Sequence, residues 1–379
     1  MKKLLFITTT ILISTTISLT LIEIFHFILS KPNNKFYLWP PNKTFVFSPD
    51  SSILYGIKGL SFFKTNNDGI RADNLSKKYN FFIATFGGST TECLYLDQTE
   101  SWPYLLQLLL NEKNKKYSFW VGNFGKSGLN SFDNLTQLKI IKKTNQFKKF
   151  NIFIFLIGIN DLLSAIGQNT IIEKTDNSIR KIYFNFPDSI KSIKERLLIY
   201  SKLNQIRNKI FIRTQDQKGL LYRKMREWRF YATKIDTLPD IKTGLTIFHK
   251  NLKEIVKLVY EINPNAHIIF MTQPVLWNKN LPQFYEKILW MGYTKKGILG
   301  INKKYFSSAA LYSGMQKYNN KLKKFCSIHN LTLIDLDSML PKDTSIFYDD
   351  CHFNENGSKI TATILKNYIS NLIIKKRGD

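Results

Sequence analysis

The chain has 379 residues, enough to bury a full hydrophobic core. Lys and Arg number 55 against 28 Asp and Glu, a net charge of +27, but the excess is mostly scattered lysine with no arginine-rich arm, so a solvated basic surface is expected rather than nucleic-acid binding. The three cysteines, Cys93, Cys326 and Cys351, show no metal-ligand spacing and no Cys-x-x-Cys pair, which argues against a structural zinc site.

At the N-terminus, Lys2 and Lys3 precede Leu4 to Ile22, 19 uncharged residues, enough to cross a hydrocarbon core. A cleaved signal peptide would have a shorter apolar region and a small-residue cleavage site, and neither is present. Residues 1–31 are therefore expected to be a single-pass membrane anchor. The positive-inside rule keeps Lys2 and Lys3 cytoplasmic and sends everything after Pro32 to the periplasmic or extracellular side. Residues 32–79 are rich in Pro, Asn and aromatics, and Thr65 to Gly69 is a strong turn signal between short strand-like runs. An irregular stem with a hairpin is expected there, packed on the domain that follows.

From residue 80 the pattern alternates. Strands are predicted at Phe81 to Phe86, Tyr117 to Val121, Asn151 to Ile157, His267 to Met271 and Leu331 to Leu336. Helices are predicted over Trp102 to Leu110, Asn134 to Lys143, Gln316 to His329 and Gly357 to Ile374. Apolar strands separated by helices indicate an α/β domain over 80–379, with a parallel sheet covered on both faces. Two insertions interrupt it, at about 172–240 and 277–313, the first with helical character over Ser189 to Arg213 and Gly219 to Thr233. They fall at the carboxyl end of the strands, where lids and specificity elements sit.

Four segments at that same end carry chemistry. Gly87-Gly88-Ser89 ends the first strand, presenting the Ser89 hydroxyl at a strand-to-helix turn. Asn123-x-Gly125-x-Ser127-Gly128 follows the second, and a glycine there lets the backbone approach a ligand and donate its N–H. Gly158-Ile159-Asn160-Asp161 follows the third, and the Asn160 amide is a neutral donor suited to an oxyanion. Asp349-Asp350-Cys351-His352 puts an imidazole base and a carboxylate in one loop. Each segment alone reads at least as well as ordinary turn chemistry, and the turn reading is the commoner one for Ser89 and Gly128, but their common order and placement set them apart. Cys93 and Cys351 should both lie near this site, and a disulfide between them is expected to brace it. His249, His267 and His329 fall in helix or strand segments and read as structural or surface residues.

These motifs resemble those of the SGNH (GDSL-type) hydrolase family, in its membrane-anchored bacterial branch, over Phe81 to about Ile374. The chain departs from the family's name motif at Gly88, where Asp is usual. The resemblance implies a three-layer αβα, flavodoxin-like fold with a parallel five-stranded sheet. It implies that Ser89 is the nucleophile, His352 the general base and Asp349 its orienter. It assigns the oxyanion hole to the N–H groups of Ser89 and Gly128 and the side chain of Asn160. Asp-x-x-His spacing favours Asp349 over its rival Asp350. No metal or cofactor is implied. The function expected is a membrane-anchored serine esterase that removes O-acyl groups from a carbohydrate or envelope polymer. An O-acyltransferase using the same site, and a non-catalytic glycan-binding or assembly protein, are the alternatives. The expected partners are an acylated small molecule or polysaccharide and the membrane.

Overall fold

A computed structural model describes residues 2–29, 37–112, 116–144, 147, 150–167, 219–294 and 304–375. The chain divides into two units, one of residues 1–36 and 185–215 and the other of residues 37–184 and 216–379. The expected helix over Ser189 to Arg213 lies outside the described residues.

In the first unit, helix α1 spans Lys2–Leu29, apolar and long enough to cross a membrane. At 1.5 Å per residue it rises about 42 Å, more than a ~30 Å hydrocarbon core requires. Its hydroxyl residues do not spoil it for that role. Thr9 Oγ1 donates to the Leu5 carbonyl at 2.7 Å, Thr10 to Phe6 at 2.9 Å and Thr16 to Leu12 at 2.8 Å. These hydroxyls are satisfied inside the helix and need no water.

In the second unit, strands β1 (Thr44–Phe47) and β2 (Ser61–Lys64) pair antiparallel, Thr44 opposite Lys64 and Phe47 opposite Ser61. The hairpin is therefore present, but the turn signal lies beyond its second strand rather than between the strands. Asn66 Oδ1 accepts the N–H groups of Asp68 and Ile70, and Gly69 takes a positive φ of 66°, so this turn redirects the chain toward the sheet. Arg71, just past it, is 3% exposed. Its guanidinium donates to the carbonyls of Glu92, Cys93, Leu96 and Asp97 and to Gln98 Oε1 at 2.6–3.1 Å, and lies 4.5 Å from the Phe63 ring. Burial lowers its pKa to about 10, against the pull of Cys93, Glu92 and Asp97, so it remains charged at neutral pH. Arg71→Met is expected to leave these carbonyls unpaired. At ~1–3 kcal/mol for a buried unsatisfied group, the loss should reach about 3 kcal/mol or more, read as a lower denaturant midpoint.

The central sheet follows. Its strands are β3 (Phe81–Gly87), β4 (Phe119–Asn123), β5 (Ile152–Leu156), β7 (His267–Met271) and β9 (Thr332–Ile334), all parallel, in the order β4-β3-β5-β7-β9. Their apolar runs are buried on both faces, as parallel strands require. The second strand starts and ends two residues later than the sequence suggests. Gly122 and Asn123, read as loop, continue the ladder opposite Ala84 and Thr85.

The α-helices of this unit among the described residues are α2 (Ser89–Glu92), α3 (Trp102–Asn111), α4 (Ser131–Thr144), α5 (Ile159–Ala165), α6 (Leu220–Tyr231), α7 (Lys242–Ile262), α8 (Gln283–Glu286), α9 (Ser308–Ile328), α10 (Leu336–Met339) and α11 (Glu355–Lys375). Helix α9 begins earlier than periodicity alone indicates because the Ser307 side chain caps it, accepting from Ala310 N. Helices α3 and α11 pack together, and α7 packs on α4, α5 and α9. The chain moves outward from β3 to β4 and then returns across to β5. Right-handed crossovers consequently place these two helix groups on opposite faces. The reversal creates a crevice at the carboxyl ends of β3 and β5, the expected ligand site of such a sheet.

The insertions meet each other. Strand β6 (Lys234–Ile235) pairs with β8 (Tyr305–Phe306), and Arg229, fully buried on α6, donates to the carbonyls of Met291 and Phe306 at 2.8 and 2.9 Å. Residues 168–218 and 295–303 of these regions lie outside the described residues.

Candidate active site

Ser89 opens α2 directly after β3. This helix has only four residues and ends at Cys93 in the left-handed region, φ 55°, rare for a residue with a side chain. A macrodipole of any size is therefore absent, and the turn's influence comes from its own N–H groups. Neighbours hold it in shape. Trp102 Nε1 donates to the Thr90 carbonyl at 3.1 Å, Asn123 Nδ2 to the Thr91 carbonyl at 2.7 Å, and Arg71 grips the carbonyls of Glu92 and Cys93.

The terminal loop between α10 and α11 brings His352 to this turn. His352 Nε2 lies 2.7 Å from Ser89 Oγ, and Nδ1 lies 2.7 and 2.9 Å from the Asp349 carboxylate oxygens. The backbone N–H groups of His352 and Cys351 donate to the same carboxylate at 2.9 and 3.1 Å. Ser89 is half-buried, whereas His352 is 5% exposed and Asp349 is fully buried. Burial pushes the Asp349 carboxyl up, but His352 and the Trp290 indole outweigh it and hold the group below the usual carboxylate range. For His352, burial favours the neutral ring, yet the Asp349 charge and hydrogen bond raise its pKa above the ordinary 6.5.

Asp350 is turned to another task. Its carboxylate accepts from Trp277 Nε1 at 2.7 Å and from the Trp290 backbone N–H at 2.8 Å, clasping the second insertion. Burial, reinforced by the adjacent Asp349, raises its pKa to about 6. Cys351 is buried, and burial together with the two aspartates pushes its thiol far up, so it stays protonated and a poor nucleophile. The expected disulfide does not form: Cys93 and Cys351 are both free buried thiols. The left-handed turn at Cys93 sets its sulfur 3.5 Å from the Thr90 carbonyl, and the Cys351 sulfur lies 3.9 Å from His352 Nδ1.

The remaining donors come from the loops after β4 and β5. Gly125 N–H is committed to Asn123 Oδ1 at 2.9 Å, and a Cβ there would meet Glu92 N at 2.5 Å. Gly128 instead is exposed at positive φ, 82°, and among the described residues its N–H has no partner. Asn160 Nδ2 donates to the Leu129 carbonyl at 2.9 Å, leaving one N–H over. A Cβ on Gly88 would lie 2.4 Å from that nitrogen, so the amide sits against the Gly88-Ser89 backbone. Such an arrangement can take a proton from a hydroxyl while holding a developing oxyanion.

Several residues at the site escape sequence reading. Trp290 Nε1 donates to Asp349 Oδ2 at 2.9 Å. The Tyr348 ring stacks on His352 with centroids 5.5 Å apart, and Tyr222, from α6, meets both Tyr348 and Trp290 edge-on. Glu92, 1% exposed, accepts from Ser127 N at 2.9 Å and from the Ser127 hydroxyl, fixing the loop that carries Gly128. Of these, only Glu92 had a local signal, an acid in an otherwise buried turn. His249, His267 and His329 serve packing: His267 Nε2 bonds Thr332 Oγ1 across the sheet, and the other two pack on Phe325.

The sequence profile of the GDSL-like lipase/acylhydrolase family matches residues 85–360, a span that includes Ser89, Gly128, Asn160, Asp349 and His352. Solved structures similar to this chain include a lipolytic protein of the G-D-S-L family from Veillonella parvula, at 12% identity and TM-score 0.37, covering 75% of this chain and 95% of that one. They include the acetylxylan esterase Axe2 from Geobacillus stearothermophilus, at 14% identity and TM-score 0.38, covering 76% and 94%. An aryl esterase from M. smegmatis matches at 12% identity and TM-score 0.40, covering 77% and 100%. No curated protein matches the chain.

Proposed function

The chain belongs to the GDSL-like lipase/acylhydrolase family and is an ester-hydrolysing enzyme, and on that premise we propose that it is a membrane-anchored serine esterase acting on O-acyl groups of an envelope carbohydrate. The observation that carries the catalytic part is the continuous hydrogen-bond line from Ser89 Oγ through His352 to Asp349, with both links at 2.7 Å. In this reading His352 Nε2 takes the Ser89 proton as the hydroxyl oxygen attacks the ester carbonyl. Asp349 holds the ring so that Nδ1 carries its proton and Nε2 faces Ser89. The oxyanion is stabilised by the N–H groups of Ser89 and Gly128 and by Asn160 Nδ2. His352 then protonates the departing alcohol, and water releases the acyl group from Ser89. Helix α1 is the anchor, with Lys2 and Lys3 on the cytoplasmic side. The net charge of +27 favours an anionic polymer as the carrier of the ester.

Acetate release from an O-acetylated polysaccharide by the full-length protein in detergent tests this reading. Asn160→Ala is expected to lower kcat on the order of 10²–10³-fold with little change in fold, since it removes one oxyanion donor. Turnover that needs an added sugar acceptor would identify a transferase instead, and no turnover on any ester would contradict the reading.

A further inference from the structure

Helix α6 has two working faces. Tyr222 points to the aromatic group around His352, while Arg223, Arg226, Glu227, Phe230 and Tyr231 line a separate cavity of about 440 Å³. None of Ser89, Asp349, His352, Gly128 or Asn160 lines it. Its other walls come from the stem, at Ser52, Ile53 and Tyr55, and from the second insertion, at Gln283, Phe284, Lys287 and Ile288. The volume falls in the range of ordinary small-molecule sites, about 300–1,000 Å³.

The lining has a definite chemistry. Three cations, Arg223, Arg226 and Lys287, face one carboxylate, Glu227. Arg226 is 7% exposed; its Nη1 and Nη2 donate to the carbonyls of Ile53 and Tyr348 and its Nε is buried in the wall, so it lends the cavity positive charge rather than a free donor. A buried arginine charge behind the exposed Arg223 and Lys287 gives the cavity an excess of positive charge suited to an anion. Beside these cations stand aromatic rings that the fold leaves bare: Tyr231 is 83% exposed and Phe284 57%. Rings of this kind pack against the apolar C–H face of a pyranose, and guanidinium groups pair with carboxylate or phosphate oxygens. A neutral sugar would leave the cations idle, and a simple inorganic anion would leave the rings idle. The cavity also touches the catalytic loop, because Arg226 Nη2 donates to the Tyr348 carbonyl at 2.7 Å and Tyr348 stacks on His352.

We propose that this cavity binds an anionic sugar residue of a glycan, holding the polymer beside the catalytic loop. Its place in turnover rests on the esterase reading above; the binding itself does not. A glycan gripped there would bring esters on neighbouring sugars to Ser89.

The test uses the full-length protein in detergent and oligogalacturonate as probe, with neutral xylo-oligosaccharide and a single-stranded oligonucleotide as comparisons. Saturable, salt-sensitive binding of oligogalacturonate is expected, weaker by about tenfold or more in Arg223→Gln/Lys287→Gln and in Tyr231→Ala, as lost charge-assisted bonds and ring contacts imply. These residues are exposed, so melting temperature should hold. Hydrolysis of p-nitrophenyl acetate should be unchanged in these variants, whereas release from an acetylated anionic polysaccharide should fall. Binding that survives both variants, equal binding of the neutral sugar, tighter binding of the oligonucleotide, or no binding would each overturn the proposal. Should the protein bind the probe but hydrolyse no ester, the esterase reading fails while this site stands.

Discussion

Ser89→Ala is expected to lower kcat on p-nitrophenyl acetate by on the order of 10⁴–10⁶-fold, the range seen when a serine nucleophile is removed. The oxyanion donors and the substrate contacts survive the change, so some residual rate above water should persist. Stability should barely move. Ser89 is half-buried and among the described residues its side chain bonds His352, while the turn is held by Trp102, Asn123 and Arg71. Stopped-flow or steady-state assays of wild type and variant, with circular dichroism to confirm folding, provide the comparison. Undiminished turnover in the variant would remove Ser89 from the chemistry.

The second large effect concerns Asp349. Asp349→Asn keeps the shape of the loop but removes the charge beside His352 and offers the wrong hydrogen-bonding group to Nδ1. A fall in kcat of about 10⁴-fold is expected on the precedent of such substitutions. The pH profile should respond as well, and its direction can be worked out. The active form of His352 is the neutral ring, so kcat/KM rises with pH as the imidazolium loses its proton. In the wild type, Asp349 holds the His352 pKa above 6.5, so the rising limb lies above that value. Without the Asp349 carboxylate, burial favours the neutral ring against only the weaker pull of Asp350 and Glu92, and the limb should move to lower pH even as the plateau falls. A limb that stays in place would mean that some other group titrates.

The sheet was legible because its apolar runs announce themselves locally, and the five residues proposed for catalysis are picked out by local motifs in the same way. Apolar runs such as Ile152–Leu156 read as buried parallel strands, and Ser89 and Asn160 follow strands β3 and β5 by two and four residues, in the first turns of the helices after them. Asp349 and His352 are three residues apart in one loop and carry their own spacing. The rest depended on contacts distant in sequence. Trp290 meets Asp349 across 59 residues, and Arg226 meets Tyr348 across 122, so neither shows any periodicity or motif. Arg71 reads as a stem residue among turns, and only its burial under the Ser89 turn explains it. The disulfide expectation failed because nearness to one site does not supply bridge geometry. A pair of sulfurs needs aligned Cβ vectors at bridging distance, and the Cys93 sulfur instead lies 3.5 Å from the Thr90 carbonyl.

Covalent capture tests the central claim most directly. The full-length protein in detergent is treated with a fluorophosphonate, digested and mapped by mass spectrometry. The account predicts one adduct, on Ser89, formed much more slowly in Asp349→Asn. An adduct on another serine or on Cys351, or an enzyme that stays active and unlabelled, would contradict it.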